Sequence, residues 1–251
     1  MIRLIINADD LGLSDDVNRA IAECFADGSI TGTTLMVNMD HADEAVDMAE
    51  RNGWSGQVGL HLNLTSGRPL TEEIKQYESF CDKDGCFNAA FAKGLLSRLY
   101  LSKREIEAAG KEAEAQIKKY LSYGLTDRHL DSHHHVHTDP SLWKAVQPLL
   151  NVYDIRSVRL TRNLYQNMSF AKRIYKNLYN ERLKALKIQT TDYFGSFKDF
   201  RCCRDRIRDG SLVEMMIHPM HGEDGRLMDT DIPMDEEREF LSGVEHTKEH
   251  Y

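Results

Sequence analysis

Apolar runs and segments of helical periodicity alternate along the whole chain. Most of these runs lack the polar alternation of a half-exposed strand, which is typical of parallel strands covered on both faces. The runs that predict strands are 3–8, 33–38, 57–64, 128–132, 157–161, 190–194 and 212–219. Repeated strand-then-helix units of this kind predict a parallel sheet covered by helices.

The segments between the strands carry helix signals. The first predicted helix has Ser14 as its N-cap and ends just before Gly28, while a later one opens with a capping box of Ser102 and Glu105. About seven strands in 251 residues favour an irregular, closed or nearly closed (β/α) barrel over an open sheet. Because the sequence contains no linker, repeat or low-complexity segment, it predicts a single domain over residues 1–251.

The net charge of the chain limits the classes of partner that it can bind. The chain carries 32 Lys and Arg against 40 Asp and Glu, a formal charge of −8. A chain this acidic lacks the attraction that nucleic acids and anionic membranes require, so we expect neither partner. The N-terminal apolar run is too short for a signal peptide, and no run approaches the ~20 residues that span a bilayer. These features predict a cytoplasmic protein.

The cysteines are consistent with a reducing compartment. There are five of them, without a CxxC pair, which indicates reduced thiols. Cys81 and Cys86 flank the hairpin-turn signal "DKDG", so a disulfide between them is geometrically feasible. Two free thiols on neighbouring strands are the favoured interpretation.

Ionisable residues gather where the predicted strands end. These candidates are Asp9, Asp10, His61, Arg159, His218 and the stretch "HLDSHHHVH" at 129–137. In a parallel α/β barrel the carboxyl ends of the strands meet at one face, and reactive groups lie there. We therefore take these residues as candidates for one site.

Each candidate also has a structural interpretation. Two adjacent carboxylates, Asp9 and Asp10, would not both stay ionised in a buried site without a cation, but one of them could simply cap the next helix. Successive strand residues point opposite ways, so one aspartate could bind a metal while the other faces the substrate. His61, among leucines, could be a hydrogen-bonded core residue.

The histidine-rich stretch carries the sharper signal. Extended backbone would place His133, His135 and His137 on one side of the strand and His134 on the other. Imidazole nitrogen suits divalent transition metals, and two histidines with one carboxylate leave positions open for water and substrate. The spacing therefore predicts a metal site without choosing among the three histidines.

Four motifs in order resemble the YdjC-like carbohydrate deacetylases, which include chitin-disaccharide (chitooligosaccharide) deacetylases. The motifs are "NADDLGLS", "GLHLNLTSGRPL", "HLDSHHHVH" and the late "HP", which together extend over residues 7–219. The resemblance implies an irregular (β/α) barrel related to polysaccharide deacetylases, using a divalent cation to remove acetyl groups from N-acetylated sugars. The family usually continues beyond the helix predicted at "EEREFL", so the last strand or helix is expected to be incomplete.

Carried over by position, the resemblance assigns roles to five residues. It implies that Asp10, His61 and His133 are the metal ligands, that Asp9 is the catalytic base and that His218 is a candidate general acid. His135 and His137 would then be second-shell or substrate-side groups.

Arg159 could keep Asp9 ionised through a salt bridge, and the alternative is a plain surface or helix-capping arginine.

The resemblance to the YdjC-like family also implies a small oligosaccharide substrate such as diacetylchitobiose, and a homodimer would be in keeping with the family.

The expected function is therefore a metal-dependent hydrolase that removes N-acetyl groups from a small amino-sugar oligosaccharide. One aspartate with two histidines admits zinc, cobalt, manganese or iron, whereas the family is often described with magnesium, so zinc and magnesium both stay open. The alternatives are a metal-dependent phosphoesterase and a non-catalytic carbohydrate- or metal-binding protein. A complete set of ligands plus a free base argues against a mere binding protein.

Overall fold

A curled sheet of parallel strands forms the centre of the molecule. The structure is a computed structural model that describes residues 1–88, 94, 100–165 and 168–251. Its strands are β1 (Ile2–Leu11), β2 (Gly32–Leu35), β3 (Val58–Leu62), β4 (His129–Ser132), β5 (Ser157–Val158), β6 (Tyr193–Ser196), β7 (Leu212–Ile217), β8 (Pro219–His221), β9 (Leu227–Asp229), β10 (Ile232–Pro233) and β11 (His246–Lys248). The described helices are α1 (Asp15–Ala26), α2 (Ala42–Arg51), α3 (Lys103–Ser122), α4 (Pro140–Val152), α5 (Phe170–Ala185), α6 (Phe197–Cys203) and α7 (Met234–Ser242).

The sheet runs in the order β5-β4-β3-β2-β1-β7-β6, with β11 added beside β1. All of its strand pairs are parallel. Gln189, in the segment before β6, pairs with the β5 edge: its N–H donates to the Arg156 carbonyl (2.9 Å), and its carbonyl accepts from the Val158 N–H (3.1 Å). The sheet curls into a partly closed barrel, and the predicted irregular (β/α) barrel of about seven parallel strands is confirmed.

β1 is the longest strand and has neighbours on both sides. It pairs with β7 along Arg3–Ala8, with β2 from Asn7 to Leu11, and with β11 beside Ile2–Leu4. Its apolar side chains are almost fully buried, which accounts for the unalternating run in the sequence. The strand therefore runs through the middle of the core and carries Asp9 and Asp10 to the far end of the sheet.

The predicted helix starts are present. Ser14 accepts a hydrogen bond from the Val17 N–H at the start of α1, and Ser102 and Glu105 form the capping box of α3. These signals are local, because each depends on side chains within three residues of the first turn.

Several strand bounds differ from the prediction. β2 ends at Leu35, β5 has only two residues, and β6 starts at Tyr193 rather than at Thr190. A further three-stranded antiparallel sheet, β8 to β10, follows β7, and β11 adds to the main sheet; neither was predicted. Strands of two or three residues are too short to show a hydrophobic period, so a sequence pattern does not reveal them.

Two further predictions concern the cysteines and membrane-spanning helices. All five cysteines are free thiols, so the disulfide between Cys81 and Cys86 is absent, although the Asp82 N–H does close the expected turn onto the Cys86 carbonyl (2.9 Å). Among the residues that the structure describes, no helix is both long and apolar enough to cross a membrane.

Candidate active site

The carboxyl ends of β1, β3, β4 and β7, together with the residue after β5, bring the predicted site residues to one end of the barrel. Asp9 and Asp10 come from β1, His61 from β3 and Arg159 from just beyond β5. His133 follows the last residue of β4. Parallel strands place their carboxyl ends at the same edge, so residues distant in sequence become neighbours.

A bulge in β1 separates the two aspartates. The register with β2 shifts between Ala8 and Leu11, and Asp10 has a left-handed backbone with φ of 70°. A left-handed φ is uncommon for a residue other than glycine and marks a position held by its surroundings. Because of this bulge, both carboxylates are buried in the barrel mouth but contact different partners.

Asp10 joins His61 and His133. Its Oδ1 lies 3.1 Å from His61 Nε2 and 2.7 Å from His133 Nδ1, and the two imidazole rings are 5.7 Å apart. One potential ligand atom from each of the three residues lies within 4.8 Å of the others. One carboxylate oxygen and two imidazole nitrogens are a donor set suited to a divalent cation with open positions.

The surroundings of His61 fit a metal ligand. His61 Nε2 is shielded from water and forms no well-shaped hydrogen bond with a described residue, even though Asp10 lies close. On the other side of the ring, His61 Nδ1 lies 2.7 Å from Asp131 Oδ1. A carboxylate behind an imidazole fixes the ring orientation and leaves the far nitrogen directed at the ion. The residues present therefore fit a divalent cation held by Asp10, His61 and His133.

The electrostatics at this cluster favour charged groups. Burial opposes ionisation of Asp10, but the hydrogen bond with His133 and the close approach of His61 hold the pKa of this carboxyl well below its usual value. Burial likewise opposes a charged His61, but Asp131 and Asp10 raise the pKa of His61 to about 10. The same carboxylates make the potential around His61 negative, so a divalent cation that takes the place of the His61 proton is favoured there.

The predicted arrangement of the histidine-rich stretch is wrong. β4 ends at Ser132, and the next residues form a 3-10 turn in which His134 and His135 have left-handed backbones, with φ of 53° and 55°. An extended chain would alternate the side chains, whereas this turn disperses them. His133, the first position of the run, contacts Asp10 through its Nδ1 (2.7 Å).

The His134 ring lies beside the His133 ring, with centroids 4.1 Å apart, and the three later histidines of the run have further neighbours of their own. The exposed His134 lies 2.9 Å from Thr65 Oγ1 through its Nδ1, and His135 packs edge-on against Phe194. His137 is fully buried and bridges Ser132 Oγ (2.5 Å) and the Arg159 carbonyl (3.1 Å). Burial lowers the pKa of His137 to about 4, so it is a neutral residue that fixes the turn.

The predicted salt bridge between Arg159 and Asp9 is present. The two terminal nitrogens of Arg159 lie 2.6 Å and 2.7 Å from the two oxygens of Asp9, and the arginine is 1 % exposed. This burial excludes the alternative of a surface arginine. Burial opposes ionisation of Asp9, but Arg159 holds its pKa well below the usual value, so Asp9 is a carboxylate near neutral pH.

Arg159 also binds Asp131, which belongs to the candidate stretch 129–137 but was given no role, and Glu214, which the sequence analysis did not assign to the site. Its Nη1 lies 2.7 Å from Asp131, and its Nε donates to Glu214 in β7. Both acids are fully buried. Their signal in the sequence was a charged residue within an apolar strand, in "HLDS" and "LVEMMI", because buried charge needs a partner.

His218 lies at the end of β7 with a side chain that is 40 % exposed. Its backbone N–H donates to Asp229 Oδ1 (2.7 Å), and its Nδ1 is 3.8 Å from the same oxygen. Burial disfavours the imidazolium, but Asp229 and the two site aspartates raise the pKa of His218 above its ordinary value. The imidazole is thus partly open to solvent and binds a proton more readily than a free histidine.

The chain matches known proteins along most of its length. A protein-family model described as YdjC-like protein matches residues 3–250. A carbohydrate deacetylase of Geobacillus stearothermophilus is 35% identical over 222 residues, which are 86% of this chain and 79% of that protein. A carbohydrate deacetylase of Vibrio parahaemolyticus is 31% identical over 241 residues, 95% of this chain and 86% of that one.

One solved structure shares the fold. The crystal structure of a proposed cellobiose-phosphate cleavage protein from Enterococcus faecalis superposes with a TM-score of 0.67, at 24% sequence identity. The match covers 88% of this chain and 82% of the other. At this identity the likeness concerns the fold alone.

Proposed function

Because the chain belongs to the YdjC-like protein family, we propose that it is a metal-dependent carbohydrate deacetylase that removes N-acetyl groups from a small amino-sugar oligosaccharide. The observation that carries this proposal is the cluster of Asp10, His61 and His133 beside a separate, ionised Asp9. The relatives named carbohydrate deacetylase support the same reaction class.

The donor set assigns the cation to one position. Asp10, His61 and His133 would hold it, and a bound divalent cation lowers the pKa of water and polarises an acetyl oxygen. Zinc, cobalt and manganese suit two imidazoles and one carboxylate, whereas magnesium prefers more oxygen. We propose one divalent ion per chain, with zinc favoured by these donors.

Asp9 has the properties of the general base. Its carboxylate is held ionised by Arg159 and is fixed in orientation by two nitrogens of the same guanidinium. It lies next to Asp10 in the chain, so a proton acceptor stands at the edge of the ligand cluster. In the proposed reaction Asp9 accepts the proton of the attacking water.

His218 has the properties of the general acid. The amine of the sugar leaves only after it takes up a proton, and the raised pKa of His218 increases the fraction of its imidazole that carries one near neutral pH. Asp229 holds the backbone and faces the ring of His218, which limits the directions in which the imidazole points. The partly exposed ring is accessible to a substrate entering the barrel mouth.

The charge around the site disfavours a phosphoesterase. Arg159 is already bound by Asp9, Asp131 and Glu214, and so it has no net positive field to offer a phosphate dianion. An N-acetylated sugar is neutral, so it does not need a positive field in order to bind at this site. We further propose that the enzyme works in the cytoplasm, where its free thiols would stay reduced.

The test combines metal analysis with substrate assays on the purified protein. Diacetylchitobiose, N-acetylglucosamine and a sugar phosphate are incubated with the zinc-, magnesium- and manganese-loaded protein, and acetate and phosphate are quantified. We expect about one metal ion per chain and metal-dependent acetate release. Phosphate release without acetate would identify a phosphoesterase, and sugar binding without turnover would identify a binding protein.

A further inference from the structure

The segment after α7 enters the barrel from the end opposite to the site. β11 lies parallel to Ile2–Leu4 at the start of β1, and the Glu249 N–H donates to the Leu4 carbonyl (2.9 Å). The next residue, His250, lies 3.3 Å from Asp127 through its Nε2. The segment is therefore held to the barrel by backbone pairing and by the contact of His250 with Asp127 before it reaches Tyr251.

Tyr251 packs inside the barrel against His129. The two rings are nearly parallel, at 11°, with centroids 3.5 Å apart. His129 is completely buried, and its Nδ1 contacts Ser157 Oγ (2.8 Å) at the base of β5. Burial lowers the pKa of His129 far below its usual value, so Tyr251 stacks on a neutral ring. This stacking fixes the direction of the tyrosine hydroxyl.

The Tyr251 hydroxyl faces Glu214. Burial and the adjacent Glu214 carboxylate raise the pKa of Tyr251 well above its usual value, so the hydroxyl keeps its proton. Tyr251 Oη and Glu214 Oε2 are both shielded from water, and neither meets hydrogen-bond geometry with any residue that the structure describes, including each other. An unpartnered buried donor and an unpartnered buried acceptor that adjoin each gain a partner when the hydroxyl turns toward the carboxylate.

Glu214 connects this tyrosine with the site. Its other oxygen accepts from Arg159 Nε, while the terminal nitrogens of Arg159 bind Asp9. Glu214 pairs in the sheet with Ile5, four residues before Asp9 along β1. Burial raises the pKa of Glu214 to about 7, so a hydroxyl donor at its free oxygen favours the ionised form that binds Arg159.

We propose that Tyr251 and Glu214 are positioning residues for Asp9. Tyr251 donates to Glu214, Glu214 holds the Nε edge of Arg159, and Arg159 presents its two terminal nitrogens to Asp9. The inference rests on the proposed function, in which Asp9 is the base. It extends that function by coupling the segment after α7 to the orientation of a group at the opposite end of the barrel.

The main variant is Tyr251→Phe, which keeps the ring on His129 and removes only the hydroxyl. Its matched control is Tyr153→Phe, because the Tyr153 hydroxyl donates to Glu114 (2.5 Å) near the surface and away from Arg159. In Tyr251→Phe we expect kcat on diacetylchitobiose to fall about tenfold, the rate equivalent of one hydrogen bond to a charged group, with KM and metal content unchanged. Tyr153→Phe should keep the wild-type kcat.

A double-mutant cycle tests whether Tyr251 acts on Arg159 and Asp9 through Glu214. Glu214→Gln removes the charge but keeps an oxygen for Arg159, and the Tyr251→Phe change should have little further effect on kcat in that background. Additive losses in the two variants would overturn the proposed route through Glu214.

A readout independent of activity is the NMR signal of the Arg159 Nε–H in protein labelled with nitrogen-15 arginine. We expect this signal to shift, and its exchange with solvent to accelerate, in Tyr251→Phe but not in Tyr153→Phe. An unchanged signal, or a shifted signal with wild-type kcat, overturns the positioning role. If the wild-type protein releases no acetate, the proposed function has failed, and the Arg159 signal alone then decides whether Tyr251 acts on Arg159.

Discussion

Arg159 and Asp9 are 150 residues apart in sequence, yet their side chains form a two-pronged ion pair at 2.6 Å and 2.7 Å. The same guanidinium also contacts Asp131 and Glu214, so one buried cation faces three carboxylates. Arg159 therefore sets both the charge and the orientation of Asp9.

Arg159→Lys should separate the effect of the positive charge on Asp9 from the effect of the two-nitrogen contact. A lysine keeps one positive charge but cannot present parallel nitrogens to both oxygens of Asp9. We expect kcat to fall about a hundredfold, within the range attributed to general-base assistance, while the metal content stays at the wild-type level. Arg156→Lys is the control, because Arg156 pairs with Asp154 on the surface. Loss of metal in Arg159→Lys, measured by mass spectrometry, would contradict the assignment.

Asp9→Asn and Asp10→Asn should lose activity for different reasons. Asp10→Asn replaces an anionic ligand by a weaker neutral one, so metal affinity should fall and activity should recover partly at high metal concentration. Asp9→Asn should keep its metal and lose about a hundredfold to ten-thousandfold in rate, which added metal does not restore. Metal content and acetate release are measured across a metal titration. If Asp9→Asn is the variant that loses metal, the two roles must be exchanged.

His61→Ala and His133→Ala should each lose the bound cation while their far-UV circular dichroism stays close to that of the wild type. Both rings lie beside Asp10, so either change removes one of the three donors. His134→Ala is the matched control, because His134 is exposed and its Nδ1 contacts Thr65 rather than Asp10. Full metal stoichiometry in either of the first two variants would refute the ligand set.

Asp229→Asn should move the alkaline limb of the kcat/KM profile to lower pH. His218 must be protonated to act as an acid, and its raised pKa keeps the proton above the pH at which a free histidine loses it. Removing the Asp229 charge removes one cause of that rise, so activity should be lost at a lower pH than in the wild type. Asp231→Asn serves as the control, since Asp231 pairs with Lys198 at the surface. An unshifted limb would assign the acid to another group.

Glu237→Gln should stabilise the protein more at high pH than at low pH. Burial and Asp229 raise the pKa of Glu237 from its ordinary 4.5 to about 10. Between these values the folded state binds a proton that the unfolded state releases, so stability falls as pH rises, by up to about 1.4 kcal/mol per pH unit. The neutral glutamine removes this dependence. Thermal unfolding at about pH 6 and pH 8.5 measures the difference, with the exposed Glu236→Gln as control; equal Tm gains at both pH values would contradict the prediction.

The sequence by itself determined the fold class and the positions of the local signals. Buried strands between amphipathic helices leave an unalternating apolar run, and caps such as Ser14 and Ser102 act within one turn, so both are readable from neighbouring residues. The ionisable residues at the strand ends could also be identified, because each of them ends or follows an apolar run. The family motifs supplied the choice of His133, which the spacing of the histidines did not provide.

The tertiary structure decided which of these residues meet. The left-handed turn at His134 and His135 and the bulge at Asp10 depart from regular extended geometry, and surrounding contacts rather than local preference hold such backbones. The roles of Asp131 and Glu214 also depend on the barrel, because a buried charge is tolerated only where the fold brings its partner, here Arg159 from another strand. Pairings between residues a hundred or more positions apart arise only when the curled sheet brings strand ends together, and no local pattern in the sequence encodes that distance.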